Sequence, residues 1–115
     1  MTQQGSSGIP GIDVAEAAAR LSGADPNGAL LVDVREDAEL AEVRVPGATH
    51  VATSGFIEHA EELPKERPLL IMCATGVRSA AVTGYLLRSG WTDVTNVEGG
   101  IVAWQRAGLP VERGG

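Results

Sequence analysis

The stretch from Leu69 to Arg88 constrains this chain more than any other. Pro68 is followed by an unbroken apolar run, Leu69-Leu70-Ile71-Met72. Such a run, with no polar alternation, reads as a strand buried on both faces inside a parallel sheet. From Ser79 the apolar spacing turns helical. Ala81, Val82, Tyr85 and Leu86 recur at i, i+1, i+4 and i+5, and Gly90 stands where a helix would stop. Only Cys73, Ala74, Thr75, Gly76, Val77 and Arg78 lie between strand and helix. The single cysteine of the chain therefore closes a central strand and faces the N-terminus of a helix.

A lone cysteine at the end of an apolar strand is ordinarily an inert core residue, since free cysteine behaves as a small hydrophobe. The surroundings of Cys73 argue for more. The first amides of a helix lack intrahelical partners, and the helix dipole places partial positive charge there. A tight loop entering such a helix forms a nest of amides suited to an anion. A thiolate is an anion, so Cys73 is expected to be favoured in its reactive form. Gly76 permits positive φ in the loop. Arg78 adds a fixed charge and a planar fork of donors for an oxyanion.

The rest of the chain supplies the scaffold. Residues 1–10 are polar and rich in Gly and Ser, and are expected to form a flexible tail before a single domain at 11–113. Asp13 is expected to cap a helix, with Glu16 completing a capping box and Gly23 ending it. Asp25-Pro26-Asn27-Gly28 reads as a turn. Ala29–Val34 reads as a buried strand ending in Asp33-Val34-Arg35-Glu36. A short helix is expected over Asp37–Glu42 and a brief strand within Ala48–Ala52. Ser54 is expected to cap a helix running to Leu63, with Phe56, Ile57 and Ala60 inward. Beyond the cysteine loop and its helix come a strand over Asp93–Val97, a turn at Glu98-Gly99-Gly100 and a last helix over Ile101–Ala107. Trp91 and Trp104 read as core.

Strands alternate with helices through short connections, which implies an α/β fold with a mainly parallel sheet and helices on both faces. Ligands of such sheets sit beyond the C-terminal strand ends. Asp33-Val34-Arg35 and Cys73–Arg78 both fall there. Asp33 and Arg35 read first as an ion pair bracing a neighbouring loop.

Composition excludes several functions. One cysteine makes no internal disulfide and fits a reducing, cytoplasmic setting. With no Cys/His cluster, no metal or other cofactor is expected. His50 and His59 have no metal-pair spacing and read as surface or turn residues. The net charge of −6 argues against nucleic acid or an acidic membrane as partner. The first residues lack a signal-peptide pattern, and no apolar run reaches the ~20 residues of a membrane span.

At this point the sequence resembles a single-domain rhodanese over nearly its whole length. Leu30–Glu36, with Glu39 just beyond, resembles the first family signature. Val45-Pro46-Gly47-Ala48 is similar to its Ile-Pro-Gly-Ala segment. Cys73-Ala-Thr-Gly76-Val-Arg78-Ser79 resembles its Cys-x-x-Gly-x-Arg-Ser active loop. Gly90-Trp91, Val97–Ile101 and Trp104 resemble its C-terminal signature. The chain departs from the pattern at Val43-Arg44, where Gly-His is usual, and at Leu40, where an aromatic often stands. Ala74 and Thr75 also stand where thiosulfate-preferring members often carry a basic residue.

The resemblance implies the rhodanese-like three-layer fold and a sulfurtransferase of the thiosulfate type. Cys73 would accept a sulfane sulfur as a persulfide and pass it on, to cyanide in vitro or to a thiol or sulfur-carrier protein in the cell. A thioredoxin-like protein is a further acceptor class. The loop from Ala74 through Thr75, Gly76, Val77 and Arg78 to Ser79 would bind the substrate sulfur. Arg78 would either bind the donor's oxyanion or brace the loop through carbonyls. Asp33 and Arg35 would stand behind the loop. Two rival readings are a non-catalytic rhodanese-like binding module and a phosphatase or arsenate reductase. Related phosphatases place one residue more between Cys and Arg than the four found here, and the shorter ring favours a persulfide.

Overall fold

A computed structural model describes residues 8–22 and 28–114. Its centre is a five-stranded sheet in the order β1-β6-β5-β2-β4, parallel throughout. The strands are β1 (Gly11–Ile12), β2 (Leu30–Asp33), β4 (Thr49–His50), β5 (Leu69–Met72) and β6 (Val94–Val97). A small antiparallel pair, β3 (Val43–Arg44) with β7 (Glu112–Arg113), lies apart from it. The expected α/β architecture with a mainly parallel sheet is thus the one observed.

The pleat sorts the apolar runs onto two faces. Val32, Val34, Leu69, Ile71 and Cys73 share one core with Phe56, Val82 and Leu86. Leu31, Leu70 and Met72 share the other with Val14, Ala17, Ile101 and Trp104. Alternate residues of one strand thus serve opposite layers, which is why β2 and β5 need apolar residues without a break. The first layer holds α3 (Phe56–His59) and α4 (Val77–Arg88); the second holds α1 (Val14–Leu21) and α5 (Gly100–Arg106). Each fully buried aliphatic side chain, Leu86 for example, contributes about 1.5–3 kcal/mol.

Strand order places the site. From β2 the chain moves outward to β4, and from β5 it moves the other way to β6. Neighbouring strands whose connections diverge leave a crevice at their C-terminal ends. Arg35 and Glu36 follow β2 there, and Cys73 follows β5. Between them α2 (Asp37–Glu42) begins with a capping box: the Glu36 side chain takes the Glu39 amide and Glu39 takes the Glu36 amide.

Several local expectations need correction. The Ser54–Leu63 helix is only Phe56–His59, flanked by 3-10 turns at Thr53–Gly55 and Ala60–Glu62. Ser54 does not cap it, because Ser54 Oγ and N and Thr53 Oγ1 all donate to the Glu36 carboxylate. Ile57 points outward and is 72% exposed, since the broken helix turns Phe56 and Ala60 inward without it. Asp13 caps α1 by accepting from the Glu16 amide, but the Glu16 side chain pairs with Arg20 instead of closing the box. That helix ends at Leu21, and Gly23 and Asp25–Asn27 lie outside the described residues. Pro10, placed in the tail by composition, accepts a hydrogen bond from the Asn96 amide at the edge of the sheet. The short strands β1, β3 and β7 carry too few residues for any periodicity to announce them.

Candidate active site

Cys73 follows directly on β5 and is 1% exposed. Its sulfur accepts from the Gly76 amide at 3.1 Å, the Ser79 amide at 3.4 Å and the Ser79 hydroxyl at 3.3 Å. Burial is the strongest influence on the thiol and by itself raises its pKa. The Ser79 hydroxyl and the amides of Ser79, Gly76 and Thr75 act together in the other direction and prevail, so the thiol ionises below its ordinary value. The ring of donors thus favours the anionic form of a buried sulfur.

The loop owes its shape to its neighbours. Gly76 has φ +101°, a conformation that L side chains rarely adopt, and an added Cβ would meet the Gly99 amide nitrogen at 3.2 Å. Beneath the loop lies the start of α5. The Ile101 amide donates to the Cys73 carbonyl at 2.9 Å, and the Val102 amide to the Ala74 carbonyl at 3.1 Å. The orphan donors of one helix therefore fix the first two carbonyls of the loop. This needs Gly100, where a Cβ would fall 2.3 Å from the Cys73 oxygen and 2.5 Å from the Ala74 oxygen.

Arg78 ties the start of α4 to α2. Its two terminal nitrogens donate to Glu39 of α2, Nη1 to Oε1 at 2.8 Å and Nη2 to Oε2 at 2.9 Å. Those bonds pull the Glu39 carboxyl down to about 2 despite partial desolvation. Arg35 steadies α2 from below. It forks onto Asp33, Nε to Oδ1 at 3.1 Å and Nη2 to Oδ2 at 2.9 Å, with both side chains buried. Its remaining donors reach the Glu39 carbonyl at 3.4 Å and the Val43 carbonyl at 2.8 Å. A continuous line of contacts runs from Asp33 through Arg35, α2 and Glu39 to Arg78.

Comparison with known proteins agrees with this geometry. Residues 13–107 match the family described as Rhodanese-like domain. The chain belongs to that family. It is 40% identical over 88 residues to a sulfurtransferase of Allochromatium vinosum, covering 76% of this chain and 82% of that one. It is 33% identical over 82 residues to the thiosulfate sulfurtransferase GlpE of Vibrio cholerae, covering 71% and 77%. A rhodanese-related protein from Thermoplasma volcanium superposes with a TM-score of 0.81 at 28% identity, over 90% of this chain and 98% of that one.

In this rhodanese-like chain the residues singled out from sequence divide into two groups. Cys73, Gly76 and Ser79 meet at the sulfur. Ala74 is half-buried, and Thr75 and Val77 face solvent, Val77 at 75% exposure. Among the described residues Asp33 and Arg35 make no hydrogen bond to the loop; Arg35 reaches the Glu39 and Val43 carbonyls instead. The sequence leaves two roles open for Arg78, oxyanion binding and bracing through loop carbonyls; its fork lands on the Glu39 carboxylate of α2. Sequence reasoning missed three contributors. Glu39 was visible only as part of a signature. Gly100 was read as a turn, though its place before a helix hinted at close packing. Asn96 gave no signal, because a polar residue in a short strand is common.

Arg44, which stands where the family usually has His, belongs to the scaffold. It pairs with Glu112 at 3.3 Å and donates to the Leu40 and Gly114 carbonyls, tying α2 to β7. Among the described residues no group of His, Cys, Asp and Glu could hold a metal, and no helix is long and apolar enough to cross a membrane.

Proposed function

We propose that this protein is a sulfurtransferase that carries a sulfane sulfur on Cys73. The observation that carries the reading is the convergence of two amides and a hydroxyl on the only thiol of the chain. Such donors stabilise the thiolate that attacks and the thiolate that later leaves.

With thiosulfate as donor, the Cys73 thiolate attacks the outer sulfur. A new S–S bond forms, the bond to the sulfonate sulfur breaks, and sulfite leaves with the electron pair. The negative charge now rests on the terminal sulfur of the persulfide, beside the amides of Ala74 to Ser79. A nucleophile then takes that sulfur: cyanide would leave as thiocyanate and return Cys73 as a thiolate. The two half-reactions share one enzyme form, so ping-pong kinetics follow. In the cell the acceptor is a thiol, a thioredoxin-like protein or a sulfur-carrier protein. The reduced state that Cys73 requires suits the cytoplasm.

Ala74 and Thr75 add no second cation to the loop, and Arg78 shares its charge with Glu39. Donors less charged than thiosulfate therefore suit this pocket. Intact mass after incubation with thiosulfate or another sulfane donor tests the reading. A gain of one sulfur that cyanide removes is expected, and none in Cys73→Ser. A mass unchanged with every donor would leave a binding module as the better description.

A further inference from the structure

Ser79 Oγ stands between two acceptors. It lies 3.3 Å from Cys73 Sγ and 2.5 Å from Asn96 Oδ1. A hydroxyl has one hydrogen, so it donates to one of them at a time. Asn96 belongs to β6 and is 7% exposed. Its own amide nitrogen donates to the Gly76 carbonyl at 3.2 Å. A carbonyl only accepts, so that bond fixes which way the Asn96 amide faces and turns Oδ1 on Ser79.

We infer that Asn96 is a positioning residue that competes with the Cys73 sulfur for the Ser79 hydroxyl hydrogen and thereby tunes how firmly the sulfur is held as an anion. The inference rests on the sulfurtransferase reading for its use in turnover. When Cys73 is a thiol or a persulfide, its Sγ carries no charge and Ser79 donates to Asn96. When Cys73 is a thiolate, the hydroxyl turns to the sulfur, where the bond is charge-assisted. Asn96 Oδ1 is then given up, and the cost of a buried acceptor without its donor falls on the thiolate state alone. No proton leaves Ser79; only the direction of its O–H bond changes, once each way per turnover. The competition matters because a thiolate that is stabilised too far is a poorer nucleophile.

Of the charged groups on the elements around Cys73, Arg78 of α4 forks onto Glu39 of α2 and also faces the Cys73 sulfur, which adds to the hold on its charge, and Arg35 is paired with Asp33 after β2. Glu98, between β6 and α5, is exposed. None of them hydrogen-bonds Asn96 or Ser79 among the described residues, so the Ser79 hydrogen is contested by two atoms only.

The test is the rate of Cys73 alkylation by iodoacetamide against pH, which reads a single thiol. Asn96→Ala is expected to lower the midpoint by about half a pH unit or more, the size of one hydrogen bond. Ser79→Ala is expected to raise it. In the Ser79→Ala background, Asn96→Ala should produce no lowering. A residue that merely fastens the loop predicts the opposite sign, because losing its bond to the Gly76 carbonyl would loosen the Gly76 amide and raise the midpoint. A rise in Asn96→Ala, or the same shift in both backgrounds, overturns the inference. If Asn96→Ala does not fold, Asn96→Asp keeps the side-chain shape and supplies a stronger acceptor. It should raise the midpoint more with Ser79 present than with Ser79→Ala, and equal rises overturn the inference. Alkylation reads ionisation whether or not sulfur is transferred. A failed persulfide experiment beside an intact Ser79–Asn96 coupling would therefore remove the functional reading alone.

Discussion

Arg78 and Glu39 meet fork to fork at 2.8 and 2.9 Å, and this pair joins the helix after the cysteine loop to the helix after β2. Both side chains are about one-third exposed, at 37% and 34%. Solvent screening therefore keeps the pair's contribution to stability small, about 1 kcal/mol or less. Its value lies in geometry. Glu39 also accepts from the Glu36 amide at 2.9 Å, so one carboxylate caps α2 and orients Arg78 together.

Glu39→Gln should accordingly slow sulfur transfer several-fold while changing stability little at neutral pH. The acid behaviour carries the sign. The hydrogen bonds from Arg78 hold the folded-state carboxyl at about 2, below its ordinary value of 4.5. The stabilisation is therefore full above about pH 4.5 and is lost as pH falls toward 2. Denaturant midpoints measured from pH 7 to pH 2.5 should show wild type and Glu39→Gln converging below pH 4.5. A constant gap across that range would mean the pair does not set the carboxyl's ionisation.

Gly100→Ala should damage the site from outside it. The new Cβ would lie 2.3 Å from the Cys73 oxygen, and φ is +56°. Neither backbone can yield without breaking the bonds from Ile101 and Val102 to the loop. We expect at least a tenfold loss of sulfur transfer and a melting temperature lower by several degrees, as for about 1–3 kcal/mol of destabilisation. Wild-type kinetics in this variant would show that the loop is shaped without α5.

How far the sequence discloses this depends on the range of each interaction. The β5 run, the helical spacing after Ser79 and the Cys73–Arg78 loop are local, and local physics is enough to read them. The Asp33–Arg35 pair is also local and lies where it was expected. Contacts that cross the fold were not readable. Arg78 meets Glu39 across 39 residues, and Ser79 meets Asn96 across 17. The Ser54 cap failed for the same reason, since Glu36 competes for its hydroxyl from 18 residues away. Local rules offered Ser54 a helix, and a tertiary partner took it.

Asp33→Ala tests the buried end of the bracing line. It would leave the Arg35 guanidinium without its carboxylate in a site closed to water. Removing one partner of such a pair costs about 3–5 kcal/mol. Urea unfolding should show a loss of that order. At low temperature, where the variant stays folded, Cys73 should still gain sulfur, because Asp33 makes no hydrogen bond to the loop. A stable protein that no longer accepts sulfur would move Asp33 from the scaffold into the reaction.

The last prediction separates sulfur from phosphorus chemistry at the same loop. A phosphoryl group in transfer spreads charge over three equatorial oxygens and needs donors around all of them. Here four residues separate Cys73 from Arg78, so the ring of amides is small. Two of its donors already point at Sγ, and both terminal nitrogens of Arg78 are engaged by Glu39. A terminal persulfide sulfur asks for less, since it is one compact anionic atom that a narrow nest can surround. Wild type should therefore show negligible hydrolysis of p-nitrophenyl phosphate. Glu39→Gln, which weakens the hold on Arg78, should not create it, because the ring stays the same size. Inserting one residue between Gly76 and Arg78 should weaken persulfide formation and widen the nest toward an oxyanion. Steady-state assays with thiosulfate and with the phosphate ester on all three proteins would decide. Efficient, Cys73-dependent ester hydrolysis by the wild type would replace the sulfurtransferase reading with a phosphatase one.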